Sequence, residues 1–560
     1  KRGLIWQKAV LFPGSERVSM TLEGRIQVVV FRRKRMKKKV LGAAAAALLA
    51  SGCAAGTPTK TETPQNAAVS SAQDKARTVI TTDGEVDDMN SVLRALLYSN
   101  DMDIAGIVLT SSTYHYAGNG KDVQPFRWTG TDWIYKYLDD YADVYDNLKS
   151  HDPDYPDPEY LKSVTKIGNI TNVGEMDEVT EGSEFLKKLF LDEDERTLYV
   201  QTWGGTNTTA RALKSIQEEY EDTDQWEEIQ KKINEKLVIY IILDQDSSYG
   251  DYIAKEWPDL QIINDRSNFW HFAYAWQFHD DALNTTLKGD WTYPNLVQDK
   301  GSFMENYALM NDGRTIEGEN DEEQRGWDSY LKANPNYSKY DFISEGDSPS
   351  FLYLIDTGLR SIEDPTYGGW GGRFDRTDKN TYKNTVTDYD PYSKRFEASY
   401  TLTRWFDAIN NDFANRVTWT LTDDDSKVNH VPSVTVKEGI DITAKPGEKV
   451  TLTAEGKDQD GDALTYKWWR YFEADTYEDW KPKTKAVEDD SLGLLIEVSR
   501  DLDEDEVINS IQIDGEDKAQ MSFTVPEDAK SGDTIHMVVE VQDDSPFQLI
   551  RYQRVIITVQ

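Results

Sequence analysis

The chain has almost no cysteine: Cys53 is the only one among 560 residues. A single cysteine excludes a disulfide within the chain. Long apolar runs are scarce as well, and the run within residues 36–52 is too short to cross a membrane. At this length the chain can form more than one domain and bury a sizeable core.

Positive charge is also in deficit, because the formal net charge is −38. Residues 1–52 hold twelve Lys or Arg and two Glu, a net of +10, which leaves −48 for the remainder. Such an acidic surface argues against nucleic acid and anionic membrane as ligands, and it suits divalent cations.

The basic residues that are present precede the cysteine. Met36 begins MKKKVLGAAAAALLASGC, which has three lysines, a short apolar run and small residues. This segment resembles a bacterial lipoprotein signal, which implies that Cys53 is lipidated and that the protein is extracytoplasmic, anchored at the cell surface or secreted. We therefore predict a non-native upstream extension (1–35), a signal peptide (36–52) and a flexible tether (53–76), with membrane contact only through the lipid.

The most informative stretch is Arg77–Asn100, RTVITTDGEVDDMNSVLRALLYSN. It predicts a buried strand, a turn and then a helix with apolar residues at helical spacing. The turn carries four carboxylates, those of Asp83, Glu85, Asp87 and Asp88. One or two would complement the helix dipole, whereas four repel one another unless a cation holds them, so the pattern favours an oxygen-ligated metal site.

Strands and helices alternate as far as about residue 425, which predicts an α/β fold with a mainly parallel open sheet. Three strands end in polar clusters, at residues 83–88, 202–207 and 244–247. In a parallel sheet these ends share one edge, so the clusters are expected to converge on one crevice.

Three segments carry a resemblance to the nucleoside hydrolases: TTDGEVDDMNSVLRALL, TWGGTNTTARAL and ISEGDSPSFLYLI. The whole of residues 77–560 looks like the nucleoside-hydrolase-like group with a carboxyl-terminal β-domain, whose members are often described as cellulose-binding proteins. YGGWGGRF and NDFANRVTW are also similar to that group.

The resemblance implies a calcium ion and a catalytic base. Its calcium ligands would be Asp83, Asp88, Asp347 and the main-chain carbonyl of Thr202. Asp87 would accept the proton of the attacking water. The transition state would resemble an oxocarbenium ion, which a negative crevice favours.

The chain departs from the nucleoside hydrolases where that family binds ribose and base. Thr81 replaces an aspartate, Gly346 replaces a histidine, and residues 244–247 stand where an asparagine-rich segment would be. We therefore expect a rebuilt substrate half. Its candidate residues are Asn207, Asp244, Asp246 and Glu345.

From residue 431 onward the pattern changes to short alternating strands, which predicts an all-β, immunoglobulin-like sandwich over 431–560. Asp458, Asp460 and Asp462 lie in one turn, either as ligands of a second cation or as ordinary turn residues. Trp468 and Trp469 point to opposite faces of their strand, so one is expected in the core and the other at the surface. We predict separate cores for 77–425 and 431–560, with few buried charges between them.

Together these features predict a calcium-dependent hydrolase of glycosidic bonds, of N-glycosyl or nucleoside-like type. The alternative is a non-catalytic, surface-anchored cellulose- or glycan-binding protein. Asp87 favours the enzyme, because a pure binder needs no base beside its metal.

Overall fold

The structure, a computed structural model, describes residues 75–314, 328–479 and 510–560, and the backbone of three short strands between 487 and 501. The predicted extension, signal peptide and lipidated Cys53 lie outside these residues. Among the described helices, none combines the length and the apolar character that crossing a bilayer requires.

An eight-stranded sheet organises the first region (residues 77–425). Its strands are β1 (Ala76–Thr82), β2 (Met102–Leu109), β3 (Thr165–Ile167), β4 (Leu198–Thr202), β5 (Leu237–Ile242), β6 (Gln261–Asp265), β7 (Asp375–Arg376) and β8 (Thr381–Lys383). The order is β3-β2-β1-β4-β5-β6-β8-β7, and every neighbouring pair is parallel except β7–β8. The predicted mainly parallel α/β fold is confirmed.

Helices connect the strands and cover both faces of the sheet. They are α1 (Val86–Leu97), α2 (Asp132–His151), α3 (Pro158–Ser163), α4 (Glu181–Leu191), α5 (Asn207–Tyr220), α6 (Trp226–Lys236), α7 (Ala254–Glu256), α8 (Asn268–His271), α9 (Gly289–Thr292), α10 (Gly301–Met304), α11 (Asp328–Ala333), α12 (Ser348–Leu352), α13 (Tyr400–Thr403) and α14 (Phe406–Trp419). Short 3₁₀ turns and two single-turn π-helices, Tyr249–Ile253 and Tyr293–Val297, complete the connections.

Strand β5 shows why both faces of the sheet are buried. Alternate residues of a strand point to opposite sides. Val238, Tyr240 and Ile242 pack into one core with α1 and α14. Leu237, Ile239 and Ile241 pack into a second core with α4, α5 and α6. A continuous aliphatic run is what a strand buried on both faces requires.

The second region (431–560) consists of β-strands in two larger sheets. One has the order β11 (Ser433–Val436), β13 (Lys449–Lys457), β18 (Gln520–Thr524), and the other has the order β12 (Asp441–Ala444), β20 (Ile550–Val559), β19 (Thr534–Gln542), β14 (Thr465–Arg470). All pairs are antiparallel except β12–β20. Both sheets contribute side chains to one core around Trp468, so the predicted β-sandwich is confirmed.

Three further pairs of short strands lie outside these sheets. Strands β9 (Asp388–Asp390) and β10 (Arg395–Glu397) form a hairpin in the first region, and β10 also pairs with β17 (Arg500–Asp501) of the second region. Strands β15 (Val487–Asp489) and β16 (Leu494–Ile496) pair with each other. The pairing of β10 with β17 joins the two regions through their backbones.

The prediction of few buried charges between the regions is wrong. Asp388, which is fully buried, accepts hydrogen bonds from Arg373 (2.8 Å), Arg404 (3.2 Å) and, across the boundary, the Tyr471 hydroxyl (2.7 Å). At a second place Arg551 of the second region donates to buried Asp412 at 2.9 Å. Asp388 and Asp412 also pair with arginines of the first region, so the second region adds further partners to charges that are buried at the boundary.

The cores are not fully separate either. Tyr471, Val538 and Tyr552 of the second region pack into the core of the first. Trp468 lies in the sandwich core, as predicted for one of the two tryptophans. Trp469 is half-buried against Trp405 and Tyr471, with ring centroids 6.1 and 5.2 Å apart, so the expected surface tryptophan is part of the contact between the regions.

Candidate metal centre

The acidic turn (residues 83–88) follows β1, whose neighbours in the sheet are β2 on one side and β4 on the other. The chain therefore leaves β1 at the point where the strand order reverses. In open α/β sheets this point, at the carboxyl ends of the strands, opens the crevice that binds ligands. The sequence thus places its four carboxylates where the fold itself provides a binding site.

The structure brings the predicted aspartates together. Asp83, Asp87, Asp88 and Asp347 are all at most 2 % exposed. One carboxylate oxygen from each of Asp87, Asp88 and Asp347 lies within 4.8 Å of the others. Asp347 is thus placed against the acidic turn, although some 260 residues separate them in the sequence.

The hydrogen bonding of these buried oxygens is incomplete among the residues that the structure describes. In the described part of the chain, Asp83 Oδ2 and both oxygens of Asp347 receive no hydrogen bond. Burial, and then repulsion by the neighbouring aspartates, raises the pKa of Asp88 and of Asp347 well above the ordinary value. Without a cation these carboxylates would bind protons, and with one they can all ionise.

The two aspartates of the pair are held differently. Asp88 Oδ1 accepts from the Thr82 hydroxyl at 2.5 Å and from the Asp83 amide at 3.2 Å. Asp87 Oδ2 accepts from the Ser344 hydroxyl at 3.4 Å, and its Oδ1 accepts from the Asp88 amide. The close three-carboxylate group contains Asp87, the predicted base, whereas the predicted ligand Asp83 lies beside it.

The loop that carries Asp347 is fixed by a buried ion pair. Glu345 and Arg94 both have fully buried side chains, and Arg94 Nη2 donates to Glu345 Oε1 at 2.8 Å. Glu345 also accepts from Tyr307 and from Ser348, the first residue of α12. Glu345, expected to bind substrate, is therefore occupied by protein partners and positions its loop.

Two other predicted substrate residues are likewise occupied. Asn207 is fully buried, and its side-chain amide donates to Ser111 Oγ and to the carbonyls of Asn169 and Glu175. Asp246 Oδ2 accepts from the main-chain N–H of Asn207 at 2.9 Å. Both side chains tie the loops at the edge of the sheet together.

The paired glycines between β4 and α5 are a steric requirement. A Cβ on Gly205 would lie 2.2 Å from Asp246 Oδ2, and a Cβ on Gly204 would lie 2.9 Å from Asp83 Cβ. Side chains at these positions would push the acidic residues apart. Thr202, whose carbonyl is a predicted ligand, is buried at the end of β4 just before this turn.

Asp244 differs from the other substrate candidates. Its Oδ1 is buried and, among the described residues, has no hydrogen-bond partner. Burial, followed by repulsion from Asp246, raises the pKa of Asp244 to about 6. Leu243, Asp244 and Ser247 all have positive φ (64°, 50° and 67°), and such local strain is typical of functional loops.

A cavity of about 670 Å³ opens beside the acidic turn. Its wall includes Thr129, whose hydroxyl donates to the Gly84 carbonyl at 3.0 Å. Four aromatic residues line it together with charged and amide side chains: Trp133, Tyr137, Tyr293 and Tyr340, with Lys136, Asp140, Asn306, Asp312 and Arg314.

The three aspartates of the sandwich turn also come together, with one oxygen each within 4.8 Å. Asp458 Oδ1 accepts from the amides of Asp460, Gly461 and Asp462, as in an ordinary Asx-type turn. Asp460 instead pairs with His430, so one of the three carboxylates already has a protein partner.

Four residues that shape the site lie within the quoted segments, but the sequence assigned no role to any of them: Thr82, Arg94, Ser344 and Gly205. Thr82 ends β1 and Gly205 lies in the turn that follows β4, so their positions at strand ends were the available signal. Arg94 and Ser344 act over more than 250 residues of sequence, and no local pattern indicates such contacts.

Comparisons with known proteins agree with this architecture. The family described as "Cellulose-binding Sde182, nucleoside hydrolase-like domain" matches residues 77–374, and "Cellulose-binding protein Sde0182, C-terminal domain" matches residues 449–559. No curated protein matches the chain.

One solved structure shows the same fold over most of the chain. A nucleoside hydrolase-related hypothetical protein from Saccharophagus degradans, described as associated with carbohydrate metabolism, is 24% identical with a TM-score of 0.62, over 87% of this chain and 100% of that chain. The plant nucleoside hydrolase PpNRh1 is 12% identical, with a TM-score of 0.31, over 61% of this chain and 99% of that chain. The chain belongs to the Sde182 family of cellulose-binding proteins, with the nucleoside hydrolase-like domain and the carboxyl-terminal domain of that family.

Proposed function

We propose that this protein is a calcium-dependent hydrolase of glycosidic bonds, of N-glycosyl or nucleoside-like type. The observation that carries the proposal is the group of four buried aspartates at the switch point of the sheet, three of whose oxygens lack a donor among the described residues. A buried carboxylate without a partner is costly, and a bound cation removes that cost.

The residues present suit calcium. The donors are all hard oxygen atoms, which this ion prefers, and Asp83, Asp88, Asp347 and the Thr202 carbonyl would hold it. Bound calcium supplies a positive charge that keeps the carboxylates ionised, and it has coordination positions left for water and sugar hydroxyls.

The chain's own residues supply the remaining chemistry. Asp87, oriented by the Ser344 hydroxyl, would accept a proton from the attacking water. The negative charge of the crevice would stabilise the positive charge that develops on the sugar ring as the glycosidic bond breaks. The loop at Asp244 would border the leaving group, because it follows β5 at the same edge of the sheet.

Calcium binding is the first test. The Asp88→Ala variant should bind calcium on the order of tenfold or more weakly than the parent in isothermal titration, because ligand charge sets affinity. Asp259→Ala, on an exposed side chain 59 % accessible, is the matched control and should bind as the parent does. Hydrolysis of a panel of nucleosides and glycosides should cease when a chelator is added and return with calcium. Equal affinity in both variants, or turnover that ignores the chelator, would contradict the proposal.

A second candidate function is glycan binding without hydrolysis. It is favoured by the cavity beside the acidic turn, which is lined by both aromatic rings and polar side chains. Tyr293 and Tyr340 stack in parallel, with ring centroids 3.9 Å apart. Aromatic faces bordered by hydrogen-bonding groups suit the apolar face and the hydroxyls of a sugar.

The cavity can be tested separately from the metal. We expect Tyr293→Ala to weaken binding to soluble cello-oligosaccharides roughly 2- to 10-fold, the equivalent of about 0.5–1.5 kcal/mol for one aromatic contact. Tyr392→Ala serves as the control, since Tyr392 is 51% exposed and does not line the cavity. If both variants bind as the parent does, the cavity is not the glycan site.

A further inference from the structure

Three side chains of types that can ligate a metal meet away from the acidic turn, where the two regions join. They are His151 at the end of α2, Asp425 in the 3₁₀ turn Asp425–Lys427, and His430. One nitrogen or oxygen from each lies within 4.8 Å of the others. His151 Nδ1 and His430 Nε2 are each 3.3 Å from the same oxygen, Asp425 Oδ1.

The second nitrogen of each imidazole is already committed. His151 Nε2 lies 2.7 Å from the Thr422 carbonyl, which can only accept, so this nitrogen carries a proton and donates it. His430 Nδ1 lies 3.1 Å from Asp460 Oδ1 and is a donor for the same reason. When each ring is neutral, His151 Nδ1 and His430 Nε2 are therefore unprotonated, and each carries a free lone pair.

These two lone pairs and the Asp425 carboxylate face one another. His430 is only 7 % exposed, and its Nε2 has no hydrogen-bond partner in the part of the chain that the structure describes. Three electron-pair donors that face one another repel unless something positive lies between them. Outer hydrogen bonds from the far nitrogen of each imidazole to a carbonyl or carboxylate are typical of histidines that bind metals.

The spacing also suits a small divalent ion. Four ligands about 2.0–2.1 Å from a tetrahedral Zn²⁺ are about 3.3–3.4 Å apart. Both His–Asp separations are 3.3 Å. The Trp419 ring packs against both imidazoles, with centroids 5.6 and 5.2 Å away, and so fixes them in this arrangement. Asp425 has 63 % of its side chain exposed, so a water has access as fourth ligand.

We propose that His151, Asp425 and His430 form a binding site for a divalent transition-metal ion of the zinc class. The ion would join α2 of the first region to the chain segment that leads into the sandwich, and Asp460 would link it to the sandwich turn. Two imidazoles and one carboxylate favour zinc over calcium, whereas the all-oxygen acidic turn favours calcium.

The test uses the full chain without a polyhistidine tag, in buffer that holds saturating calcium so that the acidic turn is filled. Titration with Zn²⁺ should show one tight site. Asp425 is exposed, so Asp425→Ala should leave the fold intact. This variant should weaken zinc binding by more than the ~10–100-fold loss expected when a residue that only hydrogen-bonds a metal ligand is removed. Asp460→Ala removes such a residue and should weaken zinc binding by about that range. Co²⁺ in place of Zn²⁺ should give the visible absorption of a tetrahedral site, and this absorption should be lost in His430→Gln.

The control is His279→Gln, because His271 and His279 form the other close imidazole pair, 3.1 Å apart. This variant should bind Zn²⁺ as the parent does. The proposal is overturned if zinc affinity is the same in Asp425→Ala and the parent, or if His279→Gln removes the site. It is also overturned if the parent binds no zinc. A melting temperature that then falls as the pH rises through the histidine range would show that a proton, and not a metal ion, stabilises the three side chains.

Discussion

Replacing Glu345 by Gln is expected to lower the free energy of unfolding by about 3–5 kcal/mol, the cost of leaving one partner of a buried ion pair without its counter-charge. Glu345 and Arg94 both have fully buried side chains. Burial alone would lower the pKa of Arg94, yet the charge of Glu345 raises it above its ordinary value, so the guanidinium stays charged in the core. Gln keeps the size of Glu and removes only its charge, so no cavity contributes to the loss.

Urea unfolding measures this change, with Glu235→Gln as the control. Glu235 pairs with Lys231 on the surface, where 63 % and 71 % of the two side chains are exposed. An exposed pair of this kind contributes about 0.3–0.5 kcal/mol. A loss of less than about 1 kcal/mol for Glu345→Gln would mean that water or another anion compensates Arg94.

Replacing Asp87 by Asn is expected to lower the rate of hydrolysis by about 10²–10⁴, the usual contribution of a general base. The amide keeps the shape of the side chain and can still accept from Ser344, but it cannot take up a proton from water. Under the proposed roles, calcium affinity should stay within a few-fold of the parent, so the loss should fall on kcat.

The same measurement on Asp83→Asn separates the two roles. Asp83 is proposed as a ligand, so this variant should lose calcium affinity before it loses kcat at saturating calcium. The opposite assignment, with Asp87 as a ligand, is the alternative that this measurement tests, because Asp87 and not Asp83 lies in the close group with Asp88 and Asp347. If Asp87→Asn binds calcium as weakly as Asp88→Ala does, Asp87 is a ligand and the base must be another residue.

The sequence was sufficient to predict features that depend on local patterns. The continuous aliphatic run of β5 predicts a strand buried on both faces, and the helical spacing of Met89, Val92 and Leu96 predicts α1. The position of the acidic turn follows from these elements, because a strand that leads directly into a helix puts the turn at the carboxyl edge of the sheet.

Long-range contacts were beyond such patterns. Glu345 looked like a ligand-binding carboxylate because nothing near it in the sequence reveals that Arg94, 251 positions away, neutralises it. The buried contact of Asp388 with Tyr471 was missed for the same reason, since each residue alone is an ordinary member of its own region. The proximity of His151 and His430 likewise depends on how α2 packs against the segment that leads into the sandwich. The spacing of residues in the sequence does not predict that packing.

The contact between the regions has a consequence for how such proteins can be engineered. Gly358 lies so close to β20 that a Cβ there would be 1.8 Å from the Tyr552 carbonyl oxygen, and the amides of Tyr552 and Arg554 donate to the carbonyls of Thr357 and Gly358. Domains that have their own core and are joined by a flexible linker can in principle fold alone. Here the sandwich completes the packing of its neighbour, so a chimaera that grafts either half onto a foreign partner must carry the matching surface with it.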